Sequence, residues 1–101
     1  MRKENAIQLV KQYLELVKKR GISIEKCFLY GSYATNTANR LSDIDFIIIS
    51  NLFSEKEGTS KYEDLLWKLT MRVDPRLEPR LLSKESFESG IVDDLALIEI
   101  V

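Results

Sequence analysis

The chain has 101 residues, of which 45% are hydrophobic and 31% charged, and this length and composition are typical of one compact soluble domain. Its 15 Lys and Arg residues against 16 Asp and Glu residues give a net charge of -1, which excludes the basic excess that binding to long nucleic acids requires. The single Cys27 excludes an internal disulfide, and the absence of His excludes imidazole bases, Ser-His-Asp triads and the usual zinc sites, so chemistry must come from carboxylates, hydroxyls or an oxygen-binding metal.

The first predicted elements are a helix and a strand. Apolar residues recur at helical spacing over 3–20, and Gly21 follows where a left-handed helix end would lie. These residues are Ala6, Val10, Tyr13, Leu14 and Val17. The charged amphipathic pattern is not a signal peptide, and no apolar run approaches the ~20 residues of a membrane span, so we expect a cytoplasmic protein without membrane contact. Segment 24–30 predicts a strand that stops at Gly31, 32–37 a helical turn and 39–42 a loop.

The middle of the chain predicts a central strand and a second helix. Residues 43–49 are dense in Ile and Phe without polar alternation, which predicts a strand covered on both faces at the centre of a sheet. Ser60 and Glu63 form a capping-box pattern that opens a helix ending near 70–72. The residues that we expect to face inward from it are Tyr62, Leu65, Leu66 and Leu69.

The last third predicts an edge strand and a closing helix. Pro75 and Pro79 restrict 76–82 to an edge strand or to a strand with a free N–H side, because proline cannot donate a ladder hydrogen bond. Ser83 is a predicted N-cap. The tail 90–101 spaces Ile91, Leu95 and Ile98 as a helix would.

The polar residues around the central strand indicate a site for a nucleoside triphosphate and its metal. Asp43 and Asp45, two apart in a strand, share a face and lie ~6.6 Å apart along it. At an effective dielectric of about 20, carboxylates roughly 5 Å apart repel by about 3 kcal/mol, so their pairing favours a cation such as Mg²⁺ or Mn²⁺. Gly31 and Ser32 lie at a strand-to-helix turn, where amide N–H groups and a hydroxyl can bind phosphate. Either element alone is more often an ordinary turn or cap.

The stretch GSYATNTANRLSDID resembles the signature of the DNA polymerase beta-type nucleotidyltransferase superfamily, and the chain resembles its minimal nucleotidyltransferase branch. The resemblance implies an α/β (α+β) fold, with a small mixed β-sheet flanked by helices in one nucleotidyltransferase domain over 1–101. It implies two divalent ions, Mg²⁺ or Mn²⁺, bound by catalytic Asp43 and Asp45, and a triphosphate bound by Gly31 and Ser32. The family commonly has a second glycine where this chain has Asn36, a residue that tolerates a left-handed backbone.

The resemblance also implies a third metal-binding carboxylate, for which Asp74 and Glu78 are the candidates. The family pattern favours Glu78, which lies inside the predicted strand, whereas Asp74 precedes Pro75 in a turn. Its catalytic role would be to share the metal and accept the proton of the attacking hydroxyl. The alternative is that Glu78 is a surface acid between Arg76 and Arg80, which themselves either form solvated ion pairs or neutralise phosphate charge.

Two functions follow from these expectations. The first is an enzyme that transfers a nucleoside monophosphate, AMP from ATP, to a hydroxyl of a protein or of a small molecule. The resemblance implies a tyrosine of a HEPN-domain toxin as the acceptor and this chain as its antitoxin. The second is a binding module, with weak or no catalysis, that neutralises a partner by masking it. Because the chain has no room for an additional substrate-binding domain, we expect a partner protein or a second copy to supply part of the acceptor site.

Overall fold

The computed structural model describes residues 2–54 and 60–101, with the backbone alone described at residue 60. Three α-helices are present in these residues: α1 (Lys3–Lys19), α2 (Ser60–Thr70) and α3 (Lys84–Glu88). Four strands accompany them: β1 (Lys26–Tyr30), β2 (Ile44–Ile49), β3 (Leu77–Leu82) and β4 (Ile98–Glu99). A one-turn 3₁₀ helix, Gly31–Tyr33, directly follows β1. Within these ranges no helix has both the length and the apolar character needed to cross a membrane.

The strands form one mixed sheet in the order β3-β2-β1-β4. Strand β1 runs antiparallel to β2 and to β4, and β3 runs parallel to β2. The predicted α/β class and mixed sheet are therefore confirmed, β2 is an interior strand as expected, and the proline-containing β3 lies at an edge. The register places Tyr30, Asp45 and Glu78 in one row across three adjacent strands.

The two faces of the sheet are covered differently. Because side chains alternate along a strand, Ile44, Phe46 and Ile48 of β2 pack with α1 and α2 in the larger core. The Tyr13 hydroxyl connects those helices by donating to the Leu66 carbonyl oxygen at 2.8 Å. The other face holds a smaller apolar cluster formed by Ile47, Ile49, Leu82 and Val92, with Phe87 of α3 stacked on Phe28. Asp45 and Glu78 therefore belong to the second face.

Most of the predicted elements are present within one or two residues. The five apolar residues predicted for the first helix are the buried residues of α1. In α2, Leu66 and Leu69 are buried, while Tyr62 and Leu65 pack partly buried on the same core. The Ser83 hydroxyl accepts a hydrogen bond from the Ser86 amide at 3.0 Å, which confirms the predicted N-cap. The side chain of Ser60 lies outside the described residues, so the capping box remains a prediction.

The predicted closing helix over 90–101 is wrong. Residues 91–94 form turns, and the following segment pairs with β1, with the Ile100 amide donating to the Cys27 carbonyl at 2.7 Å. The physical reason is a two-residue period: Ile98 and Ile100 pack on the larger core while Glu99 between them is exposed. Ile91, which opened the apparent helical stripe, is 58% exposed.

Candidate active site

The Gly-Ser turn lies directly against the start of β2. Tyr30, the last residue of β1, is the register partner of Asp45, so the chain turns at Gly31 immediately beside that carboxylate. Gly31 has a φ of +72°, and a Cβ added there would lie 2.5 Å from Asp45 Oδ2. Both the left-handed backbone and the missing side chain are therefore required for this close approach.

The turn itself is held by its own backbone. The Gly31 carbonyl accepts from the amides of Ala34 at 3.0 Å and Thr35 at 3.2 Å, and the Ser32 carbonyl accepts from Thr37 at 2.9 Å. The amides that open such a helical turn have no acceptor within it, so their N–H groups are suited to donate hydrogen bonds to an anion. Asn36 has a φ of +62°, so asparagine does adopt the left-handed conformation for which the family commonly uses glycine.

The three predicted acidic residues are brought together on the second face. Asp45 and Glu78 are register partners on parallel strands, and their side chains are hydrogen-bonded to each other. Asp43, one residue before β2, also hydrogen-bonds to Glu78. We call Asp43, Asp45 and Glu78 the acidic cluster. Since two carboxylates can hydrogen-bond only when one is protonated, the acidic cluster shares a proton between its side chains.

The protonation of the cluster follows from burial and like charge. Burial raises the pKa of Glu78 to about 7, and its hydrogen bonds to Asp45 and Asp43 and the charges of those two residues act in the same direction. Burial also raises the pKa of Asp45; the hydrogen bond with Glu78 opposes this, and the Asp43 charge adds to it. The cluster therefore holds a proton near neutral pH in the metal-free chain.

The cluster has the donor chemistry that Mg²⁺ and Mn²⁺ prefer, since all its ligands are carboxylate oxygens. In residues 2–54 and 60–101, however, no group of three or more His, Cys, Asp or Glu side chains is already arranged around a cation position. The carboxylates share hydrogen bonds instead. Binding an ion there would require the cluster to release its shared proton and the side chains to reorient.

Asp74, the other candidate for the third carboxylate, lies away from this cluster. It accepts hydrogen bonds from the Arg76 amide at 2.8 Å, Nε at 3.0 Å and Nη2 at 2.7 Å. These bonds to Arg76 hold the pKa of Asp74 below its usual range. The structure therefore brings Glu78, and not Asp74, to Asp45.

Tyr30 and Arg80 complete the surroundings of the cluster, and sequence reasoning did not assign Tyr30. Arg80 follows Glu78 by two residues on β3, hence on the same face, and hydrogen-bonds to the Tyr30 side chain. Burial raises the pKa of Tyr30, the nearby Asp45 charge adds to this, and Arg80 opposes it. The only sequence signal for Tyr30 was its position at the end of the strand before Gly31.

A mixed four-stranded sheet flanked by helices, with a Gly-Ser turn beside the start of an interior strand, is a nucleotidyltransferase-like fold. The chain belongs to the nucleotidyltransferase domain family, whose model matches residues 10–99. A crystal structure titled as a "putative nucleotidyltransferase from Sulfolobus solfataricus" shares this fold, with a TM-score of 0.61 and 18% identity over 94% of this chain and 80% of that one. No curated protein matches the chain significantly. Family membership implies transfer of a nucleotidyl group from a nucleoside triphosphate, and such domains generally use divalent metals.

Proposed function

We propose that this chain is a metal-dependent nucleotidyltransferase that moves AMP from ATP to a hydroxyl of a protein partner. The observation that carries the proposal is the contact of the Gly31 turn with Asp45, which is itself hydrogen-bonded to Glu78. A turn suited to phosphate and an acidic cluster suited to a cation thus lie at the same end of the sheet, where β1 ends and β2 begins.

In this proposal the turn and one arginine bind the triphosphate. The amides that open the turn and the Ser32 hydroxyl donate hydrogen bonds to phosphate oxygens. Arg80, hydrogen-bonded to Tyr30, offsets phosphate charge on the same face. Arg76 does not serve this role here, because its guanidinium is bound to Asp74.

The acidic cluster of Asp43, Asp45 and Glu78 would hold two divalent ions, which would be Mg²⁺ or, in its place, Mn²⁺. Bound there, the metal would supply positive charge that neutralises the triphosphate and the acidic cluster. Glu78 accepts the proton of the acceptor hydroxyl as its oxygen attacks the α-phosphorus. One phosphoester bond forms, the bond to pyrophosphate breaks, and pyrophosphate leaves.

The exposure of the site favours a large acceptor. Asp43 is exposed, and the adjoining loop presents Leu41 with 83% of its surface exposed. A hydroxyl carried on another protein can therefore reach the acidic cluster without passing through a closed cavity. Following the minimal-nucleotidyltransferase resemblance, we propose a HEPN-domain toxin as the acceptor, with this chain as its cytoplasmic antitoxin; a second copy of this chain is the other partner to test.

The proposal is tested by incubating the chain with a HEPN-domain protein, ATP and Mg²⁺ and following intact mass. We expect the partner to gain one AMP, and expect no gain with EDTA or with Asp45→Asn. Asp64→Asn is the matched control, because Asp64 is an exposed acid on α2. A partner of unchanged mass that still forms a stable complex would favour the second candidate, a binding module that masks its partner.

A further inference from the structure

The Tyr30 side chain contacts the smaller apolar cluster at the place where that cluster adjoins the acidic cluster. Tyr30 is the last residue of β1, and the register places it in one row with Asp45 and Glu78. Its partly buried side chain packs against the smaller apolar cluster on the same face of the sheet. Because packing restricts the rotamers of an aromatic side chain, the Tyr30 hydroxyl is held at a defined place beside the acidic cluster.

Arg80 reaches this hydroxyl from the other side of β2. It lies on the edge strand β3, two residues after Glu78 and therefore on the same face, and it is exposed. Its side chain hydrogen-bonds to that of Tyr30, so the bond extends from β3 across β2 to β1. An exposed arginine otherwise keeps much of its rotamer freedom. The bond to the packed tyrosine therefore fixes the end of a side chain that would be mobile without it.

The positive charge of Arg80 is not paired with the neighbouring acids. Among the residues that the structure describes, Arg80 forms no ion pair, although Glu78 and Asp45 lie on the same face. Arg76, by comparison, is paired with Asp74 at 2.7 Å. A guanidinium has several N–H donors, and the neutral phenol oxygen of a tyrosine accepts from it without removing its charge. Arg80 thus keeps donors and its positive charge for an anionic ligand.

We propose that Tyr30 is a positioning residue, which holds the Arg80 guanidinium beside the acidic cluster so that the guanidinium binds the triphosphate. The inference rests on the proposed function, because it takes the triphosphate as the ligand of Arg80. Without the tyrosine hydroxyl, Arg80 samples many rotamers, and few of them present the guanidinium to the phosphates. An arginine that is already fixed loses less conformational entropy when the ligand binds. Tyr30 therefore raises the affinity for the metal-bound triphosphate through Arg80, and not by binding the phosphates itself.

A double-mutant cycle, measured by calorimetry with Mg²⁺-ATP, separates a role through Arg80 from an independent one. Tyr30→Phe keeps the packed ring and removes only the hydroxyl, and we expect it to weaken Mg²⁺-ATP binding about threefold to tenfold. Arg80→Gln should weaken binding roughly tenfold, and the double variant should bind no more weakly than Arg80→Gln alone. Losses that multiply in the double variant would show that Tyr30 acts independently of Arg80 and would overturn the proposal. Tyr62→Phe is the matched control and should bind as wild type does, because Tyr62 is also partly buried but packs on the larger core.

The order of Arg80 in the free chain is measured by NMR relaxation of its Nε–H group, in EDTA without nucleotide. We expect its order parameter in wild type to exceed that of the exposed Arg72, and to fall to the Arg72 level in Tyr30→Phe. An Arg80 order parameter that is the same in both chains would overturn the proposal, whatever the transfer activity. Equal Mg²⁺-ATP affinity of wild type and Tyr30→Phe would overturn the positioning role and leave the proposed function intact. A wild-type chain that binds no Mg²⁺-ATP would instead overturn the proposed function and, with it, the triphosphate as the ligand of Arg80.

Discussion

Asp45→Asn should stabilise the metal-free chain at alkaline pH and destabilise it at acid pH. Above the pKa of Glu78, which is about 7, Asp45 and Glu78 are both charged and occupy neighbouring positions on β2 and β3. Neighbouring strands lie roughly 5 Å apart, and two charges at that distance repel by about 3 kcal/mol at an effective dielectric near 20. Because both side chains are partly exposed, solvent reduces this to about 1–2 kcal/mol.

The effect of Asp45→Asn on stability changes sign at acid pH, because the acidic cluster holds a proton there. Glu78 has its pKa raised from 4.5 to about 7, so the folded chain binds this proton more tightly than the unfolded chain does. The stability that Glu78 contributes is present below pH 4.5 and is lost as pH rises through 7. At pH near 5.5, Asp45 and Glu78 share a proton in a hydrogen bond, and replacing the Asp45 carboxylate with an amide should cost about 1 kcal/mol.

Thermal melts in EDTA at about pH 5.5 and 8.5 measure both effects. One kcal/mol corresponds to roughly 4–8 °C for a domain of this size, so we expect Asp45→Asn to melt at least about 4 °C above wild type at the higher pH. Asp64→Asn, the exposed control, should show no such crossover. Addition of Mg²⁺ and ATP should reverse the order at the higher pH, because only wild type then binds the ligand. An Asp45→Asn chain less stable than wild type at both pH values in EDTA would refute the repulsion.

Three further outcomes are expected. Ser32→Ala should reduce transfer and keep the melting temperature, whereas Gly31→Val should lower both, because a Cβ at Gly31 would lie 2.5 Å from Asp45 Oδ2; full transfer by Ser32→Ala would place the triphosphate elsewhere. Calorimetry should show weaker ATP binding in EDTA than with Mg²⁺, since triphosphate and the acidic cluster are both anionic, and equal affinities would contradict the metal assignment. Arg80→Gln should weaken Mg²⁺-ATP binding roughly tenfold through loss of a charge-assisted contact, and Arg72→Gln, an exposed control after α2, should bind as wild type does.

Local sequence patterns were sufficient to predict a helix or strand where the segment's own apolar residues show which of its positions are buried. The apolar residues 46–49 of β2 and the apolar stripe of α1 directly indicate burial, and both elements were predicted within one or two residues. The prediction for residues 90–101 was wrong because the apolar residues there fit both the helical period and the two-residue period of a strand. The tail forms a strand because one side of β1 is open for pairing, and Ile98 pairs there with Leu29. No local sequence pattern reveals that open side of β1.

The surroundings of the site were less accessible to sequence reasoning because they depend on register between distant segments. The sequence favoured Glu78 over Asp74 only through the family pattern and the predicted strand. The structure adds the physical distinction, because Arg76 binds Asp74 while the register places Glu78 beside Asp45. The contact of Tyr30 with Arg80 joins residues of two strands separated by β2. Neither relation follows from spacing along the chain.

Several residues in locally unfavourable conformations or environments lie at one end of the sheet. Asn36 adopts a left-handed backbone without being glycine, and Asp45 and Glu78 are paired acids that must share a proton. Among the residues that the structure describes, the buried Tyr33 hydroxyl of the same turn has no hydrogen-bond partner. Away from this end, β2 and α1 follow local preferences closely. Unfavourable local features that lie close together, in a fold that otherwise follows local preferences, are typical of a binding site. At such a site the bound ligand offsets the free-energy cost of these features. Substitutions that relieve these features in the free chain should therefore weaken binding of the ligand that offsets each one.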